Sequence, residues 1–118
     1  MLVVQGGIND IAQGRPVETA ARNLRSMVLR GKALGLRVAL AELLPWNNGF
    51  PAADPAIRRL NSLVREIGRD ENVPVLPFYR TLEDSARPGR MREEWTSDGD
   101  HPSVEGYRLL GERAFRLP

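Results

Sequence analysis

Apolar residues recur along this chain with two different spacings, and the spacings alternate. Leu2-Val3-Val4-Gln5 is a short apolar run stopped by Gly6-Gly7, which predicts a buried strand entering a tight loop. Pro16 suits a first helical position, and Val17, Ala20, Ala21, Leu24, Met27 and Val28 then recur at helical spacing. Gly31 falls within that pattern and Gly35 closes it as a C-cap. Leu36 to Leu44, rich in Val, Leu and Ala and ending at Pro45, predicts a second buried strand. After a loop from Trp46 to Ala53, Asp54-Pro55 reads as N-cap and first helical residue. Ile57, Leu60, Leu63, Val64 and Ile67 give that helix its inner face. Val73 to Phe78 predicts a third strand, whose two prolines favour a place near a sheet edge. A long polar stretch follows from Arg80 to Asp100, with one helical turn expected near Thr81 to Ser85. Pro102 to Arg116 predicts the last helix, its apolar side formed by Val104, Tyr107, Leu109, Leu110 and Ala114.

Strands that alternate with helices of this length imply an α/β fold: a parallel sheet covered on both faces in three α/β/α layers. Functional groups in such sheets collect at the carboxyl ends of the strands. Gly7-Ile8-Asn9-Asp10 follows the first strand directly and so lies on that edge. The loop before the last helix follows the third strand and can reach the same edge. No internal repeat or linker divides residues 1–118, which read as one domain.

Composition narrows the chemistry. Seventeen Lys and Arg against fifteen Asp and Glu leave a net charge of +2, spread along the chain rather than clustered as a nucleic-acid footprint would be. There is no cysteine, which removes disulfides, thiolate metal sites and cysteine nucleophiles. No apolar run approaches the length of a membrane span. No leader is legible at Met1, and the compartment stays open.

The one histidine, His101, stands in Asp98-Gly99-Asp100-His101-Pro102, just before the last helix. An imidazole titrates near neutral pH, and a carboxylate three residues earlier can hold one ring nitrogen so that the other accepts a proton. Asp100 is the rival partner, but adjacency makes its geometry awkward. Gly7-x-Asn9-Asp10 after a strand, followed late by Asp98-x-x-His101-Pro102, resembles the SGNH (GDSL-type) hydrolases. The resemblance implies a flavodoxin-like α/β/α sheet and an ester hydrolase working through a Ser-His-Asp triad, without metal or cofactor. It carries the oxyanion donor to Asn9, the orienting acid to Asp98 and the general base to His101. Gly7 and Trp46 are candidates to line the substrate site, and the expected substrate is a small ester or an acylated carbohydrate or lipid.

The resemblance covers the latter part of that family's domain. Its nucleophile sits in a Gly-Asp-Ser block ahead of Gly-x-Asn-Asp, and no Gly-Asp-Ser occurs in this sequence. Ser26 and Ser62 lie in expected helices, Ser85 in a loop, and Ser97 and Ser103 beside His101, none on a strand-to-helix elbow. The expectation is an N-terminally incomplete fold, inactive alone, with the edge of Leu2 to Gln5 open to self-association. The competing expectation is a non-catalytic remnant of the same fold that serves as an interaction module.

Overall fold

A computed structural model of the protein describes residues 1–117. Strand β1 (Leu2–Val4) leads through a single-turn helix α1 (Ile8–Ala12) into the long helix α2 (Val17–Ala33). Strand β2 (Val38–Ala41), helix α3 (Asp54–Glu71) and strand β3 (Val75–Leu76) follow. Helix α4 (Phe78–Leu82) opens into a hairpin of β4 (Glu83–Asp84) and β5 (Arg87–Met91). The chain closes with α5 (Val104–Leu109), which widens into a π turn over Leu110–Ala114.

The sheet has the order β1-β2-β3 and is parallel throughout, as the alternation of elements requires. Leu2, Val3 and Val4 stand opposite Val38, Ala39 and Leu40, while Leu40 and Ala41 stand opposite Val75 and Leu76. Sequential parallel strands joined by crossovers of one hand place both connecting helices on one face. Accordingly α2 and α3 lie side by side, and Val4, Val38 and Leu40 bury against Leu24, Val28, Ile57, Leu60 and Val64. A second cluster of Leu82, Met91, Leu109, Leu110 and Ala114 joins α4, β5 and the C-terminal helix. β3 lies at an edge, flanked by Pro74 and Pro77, as its prolines indicated.

Several expectations shift in detail. The Gly-x-Asn-Asp segment is helical rather than a loop: Gly7, at φ 112°, reverses the chain so that Ile11 N–H reaches the Gly7 carbonyl at 3.1 Å. Pro16 is extended, at ψ 133°, so it flanks the helix that begins at Val17. Ala53 takes the cap position of α3, and Asp54, one residue inside, uses its carboxylate on the Tyr79 hydroxyl and Arg58 instead. The second strand is shorter than its apolar run, and the helical turn expected near residue 81 begins at Phe78. The last helix begins at Val104 and buries Gly106, Leu109 and Leu110, which sets Val104 on the opposite side, 88% exposed.

Candidate active site

The carboxyl ends of all three strands open onto one cavity of about 370 Å³. Gln5, Ile8 and Asn9 line it after β1, Leu43 to Trp46 after β2, and Phe78 after β3. Asp100, His101 and Pro102 close it from the loop before α5, with Tyr107 and Leu110 from the helix itself. Asn9 and His101, ninety-two residues apart in sequence, thus border one space. Trp46 borders it too. Gly7 is not among the lining residues; its missing side chain serves packing, since a Cβ there would stand 2.4 Å from Leu60 Cδ2.

The loop carrying His101 is held at both ends. Thr96 pairs with Pro102 in an isolated antiparallel bridge, and the Thr96 hydroxyl donates to the His101 carbonyl at 2.7 Å. Ser103 caps α5: its oxygen accepts from Gly106 N–H at 3.2 Å while its hydroxyl donates to the Glu94 carbonyl at 2.6 Å. Between these anchors Asp98 divides its carboxylate. Oδ1 accepts the backbone N–H groups of Asp100 at 2.8 Å and His101 at 2.7 Å, while Oδ2 lies 2.8 Å from His101 Nδ1.

That arrangement fixes the electrostatics. The bond to the His101 ring, then the N–H groups of Asp100 and His101, hold the Asp98 carboxyl down at about 2. The same bond, reinforced by the charges of Asp98 and Asp100, raises His101 above its ordinary value. With Nδ1 bonded to Asp98, Nε2 is the remaining ring nitrogen of a residue that borders the cavity. Asp100, the rival carboxylate, accepts instead from Trp46 Nε1 at 2.6 Å and Asn48 Nδ2 at 2.7 Å. Among the described residues no cluster of three or more His, Asp or Glu is placed to hold a metal ion, and no helix is long and apolar enough to cross a membrane.

Residues missed in the sequence include Gln5, Phe78, Tyr107 and Asn48. Gln5 ties β1 to β2 by donating from Nε2 to the Glu42 carbonyl at 2.8 Å. Asn48 lies in an Asn-Asn-Gly run whose ordinary meaning is a turn. Its partners are fifty residues away, beyond the reach of any local pattern.

The fold is a parallel α/β sheet with an Asp-His pair and an asparagine at its carboxyl edge. Residues 1–109 match the GDSL-like lipase/acylhydrolase family model, and the chain belongs to that family. Among solved structures, a GDSL-like lipase from Bacteroides thetaiotaomicron is similar with a TM-score of 0.82 and 24% identity, over 93% of this chain and 57% of its own. A Bacteroides fragilis protein provisionally assigned as an acylhydrolase gives 0.82 and 27%, over 94% and 57%. A member of the lipolytic G-D-S-L family from Veillonella parvula gives 0.78 and 22%, over 98% and 63%. The chain therefore spans somewhat more than half the length of these structures. Comparison with curated proteins gave no match.

Proposed function

We propose that this chain carries the acid–base side of an ester-hydrolysing site, with His101 as general base, Asp98 as its orienting carboxylate and Asn9 as an oxyanion donor. The observation that carries the reading is the 2.8 Å contact of Asp98 Oδ2 with His101 Nδ1 at the rim of a cavity that Asn9 also lines. In the reaction, His101 Nε2 removes the proton from a serine hydroxyl as its oxygen attacks the acyl carbon. The imidazolium then returns the proton to the departing alcohol. Asp98 holds the tautomer and stabilises the imidazolium, and the Asn9 amide donates to the tetrahedral oxyanion. The substrate is a small acyl or acetyl ester, including acylated carbohydrate or lipid.

No serine lines the cavity among the described residues, and the Ser103 hydroxyl is spent on Glu94. The 118 residues alone are accordingly expected to leave p-nitrophenyl acetate and butyrate at the buffer rate. Turnover that His101→Ala abolishes would overturn the missing-nucleophile reading. Fusing a Gly-Asp-Ser strand–helix segment from a family member ahead of Met1 tests the rest. The folded fusion should hydrolyse the ester, lose about a millionfold on His101→Ala, and lose about a hundred- to a thousandfold on Asn9→Ala. Because the base must be neutral, its rate should climb with pH through a value above 6.5, and Asp98→Asn should move that limb downward.

A second reading, an interaction module that self-associates, is favoured by the bare edge of β1. Leu2 to Gln5 carries no charge, proline or bulge, and β1 has no outer neighbour among the described residues.

A further inference from the structure

Two carboxylates stand within three residues of His101, and only one of them holds its ring. What separates their roles lies in the loop after β2. Asn48 bonds to three successive residues of the His101 loop. Its Nδ2 donates to the Asp98 carbonyl at 2.9 Å and to Asp100 Oδ1 at 2.7 Å, and its backbone N–H donates to the Gly99 carbonyl at 3.2 Å. Trp46 adds its indole N–H to the same Asp100 oxygen at 2.6 Å. Gly99 makes the approach possible. It sits at φ 84°, and a Cβ there would fall 2.4 Å from Asn48 Oδ1.

We infer that Asn48 and Trp46 are positioning residues for the His101 base: they engage Asp100 and pin the backbone of residues 98–100, so that Asp98 alone takes the imidazole. The inference rests on the reading of His101 and Asp98 given above. With two donors on one oxygen, Asp100 is drawn toward the β2–α3 loop and does not bond to the ring. Asp98, relieved of competition, fixes the proton on Nδ1 and leaves the lone pair on Nε2. Trp46 has a double part, because the indole whose N–H is spent on Asp100 also forms cavity wall. Its ring is thereby held at a set angle against whatever occupies that space.

A sole histidine makes the test direct. In the purified 118-residue chain, ring-nitrogen NMR of His101 on the alkaline side of its titration should show one dominant tautomer, protonated at Nδ1. Asp98→Asn should shift the ring-nitrogen signals toward a mixture with the Nε2–H form. Asn48→Ala should produce the same mixture, as should Asn48→Asp, which keeps the shape but offers no side-chain donor. Trp46→Phe, which keeps an aromatic ring and removes only the indole donor, should shift the signals part of the way and guards against a variant that fails to fold. If Asp98→Asn mixes the tautomers while folded Asn48→Ala and Trp46→Phe leave the wild-type signals unchanged, the positioning role is overturned, whatever their melting temperatures. If the wild-type ring is already mixed, or ignores Asp98→Asn, the Asp98–His101 reading itself fails instead.

Discussion

Asn61, buried within α3, accepts from the Leu43 N–H at 2.7 Å and donates to the Leu43 carbonyl at 3.0 Å. Asn47 repeats the pattern at buried Met91, accepting from its N–H at 2.7 Å and donating to its carbonyl at 2.9 Å. Leu43 lies just beyond β2 and Met91 ends β5, and in each case a side-chain amide completes the backbone pairing, because buried N–H and C=O groups must be paired somewhere. Leu43 is also cavity wall, so Asn61 connects the core to the site. Orphaning a buried backbone group costs about 1–3 kcal/mol, and Asn61→Leu orphans two while keeping the volume. The expected loss is about 2–6 kcal/mol, read as a lower urea midpoint with an unchanged slope. A shift of less than about 0.5 kcal/mol, the usual range for a neutral surface change, would show that Leu43 finds other partners.

At the scale of elements, glycines on two helices separate packing from propensity. Gly68 in α3 faces β3, where a Cβ would lie 2.4 Å from Val75 Cγ2 and 3.0 Å from the Val73 carbonyl oxygen. Gly111 in the π turn has nothing within 4 Å. Alanine improves helix propensity by about 1 kcal/mol, but overpacking against backbone costs about 1–3 kcal/mol. Gly68→Ala should therefore destabilise the protein by about 1 kcal/mol, whereas Gly111→Ala should stabilise it by about 0.4–1 kcal/mol. Thermal melts of the two variants should move in opposite directions, and a rise in both would mean that β3 yields easily. The same elements show what sequence reading could reach. The two long helices and three strands were legible because each buries one continuous stripe or run against the sheet. Met27, expected on the stripe of α2, sits at its margin and is 52% exposed. Helix α1 was hidden because its turn depends on Gly7 packing beneath Leu60, a contact made by a distant helix. The β4–β5 hairpin was hidden because Arg87-Pro88-Gly89-Arg90 has no apolar alternation. Part of what shapes it is Arg90 stacking over Phe50, with its guanidinium 4.5 Å from the ring centre. At the site, the spacing of Asp98 and His101 made their pairing legible. The assignment of Asp100 to Trp46 and Asn48 spans more than fifty residues and carries no local signature.

At the scale of the whole molecule, the two edges of the sheet are unequal. β3 offers two residues between prolines, a poor template for another strand. β1 offers an uncharged edge, and the apolar residues around it remain open to solvent: Met1, Val3, Leu34 and Leu36 are all exposed. The bond from Leu2 N–H to the Arg37 carbonyl, 2.7 Å, brings the last of these beside the start of the strand. Val3 stands opposite fully buried Ala39 yet is 36% exposed, so the sheet loses its cover at this margin. A net charge of only +2 supplies little repulsion between copies. A second copy pairing edge to edge would satisfy the outward N–H and C=O groups of β1. Light scattering on the purified chain should therefore show an average mass that rises with concentration. Val3→Lys places a charge on the outer margin and should return the chain to a monomer without lowering its melting temperature. A monomer across the whole concentration range would sink the second reading, as would association that Val3→Lys leaves untouched. In either case the Asp98–His101 site would stand unaffected at the opposite, carboxyl ends of the same strands.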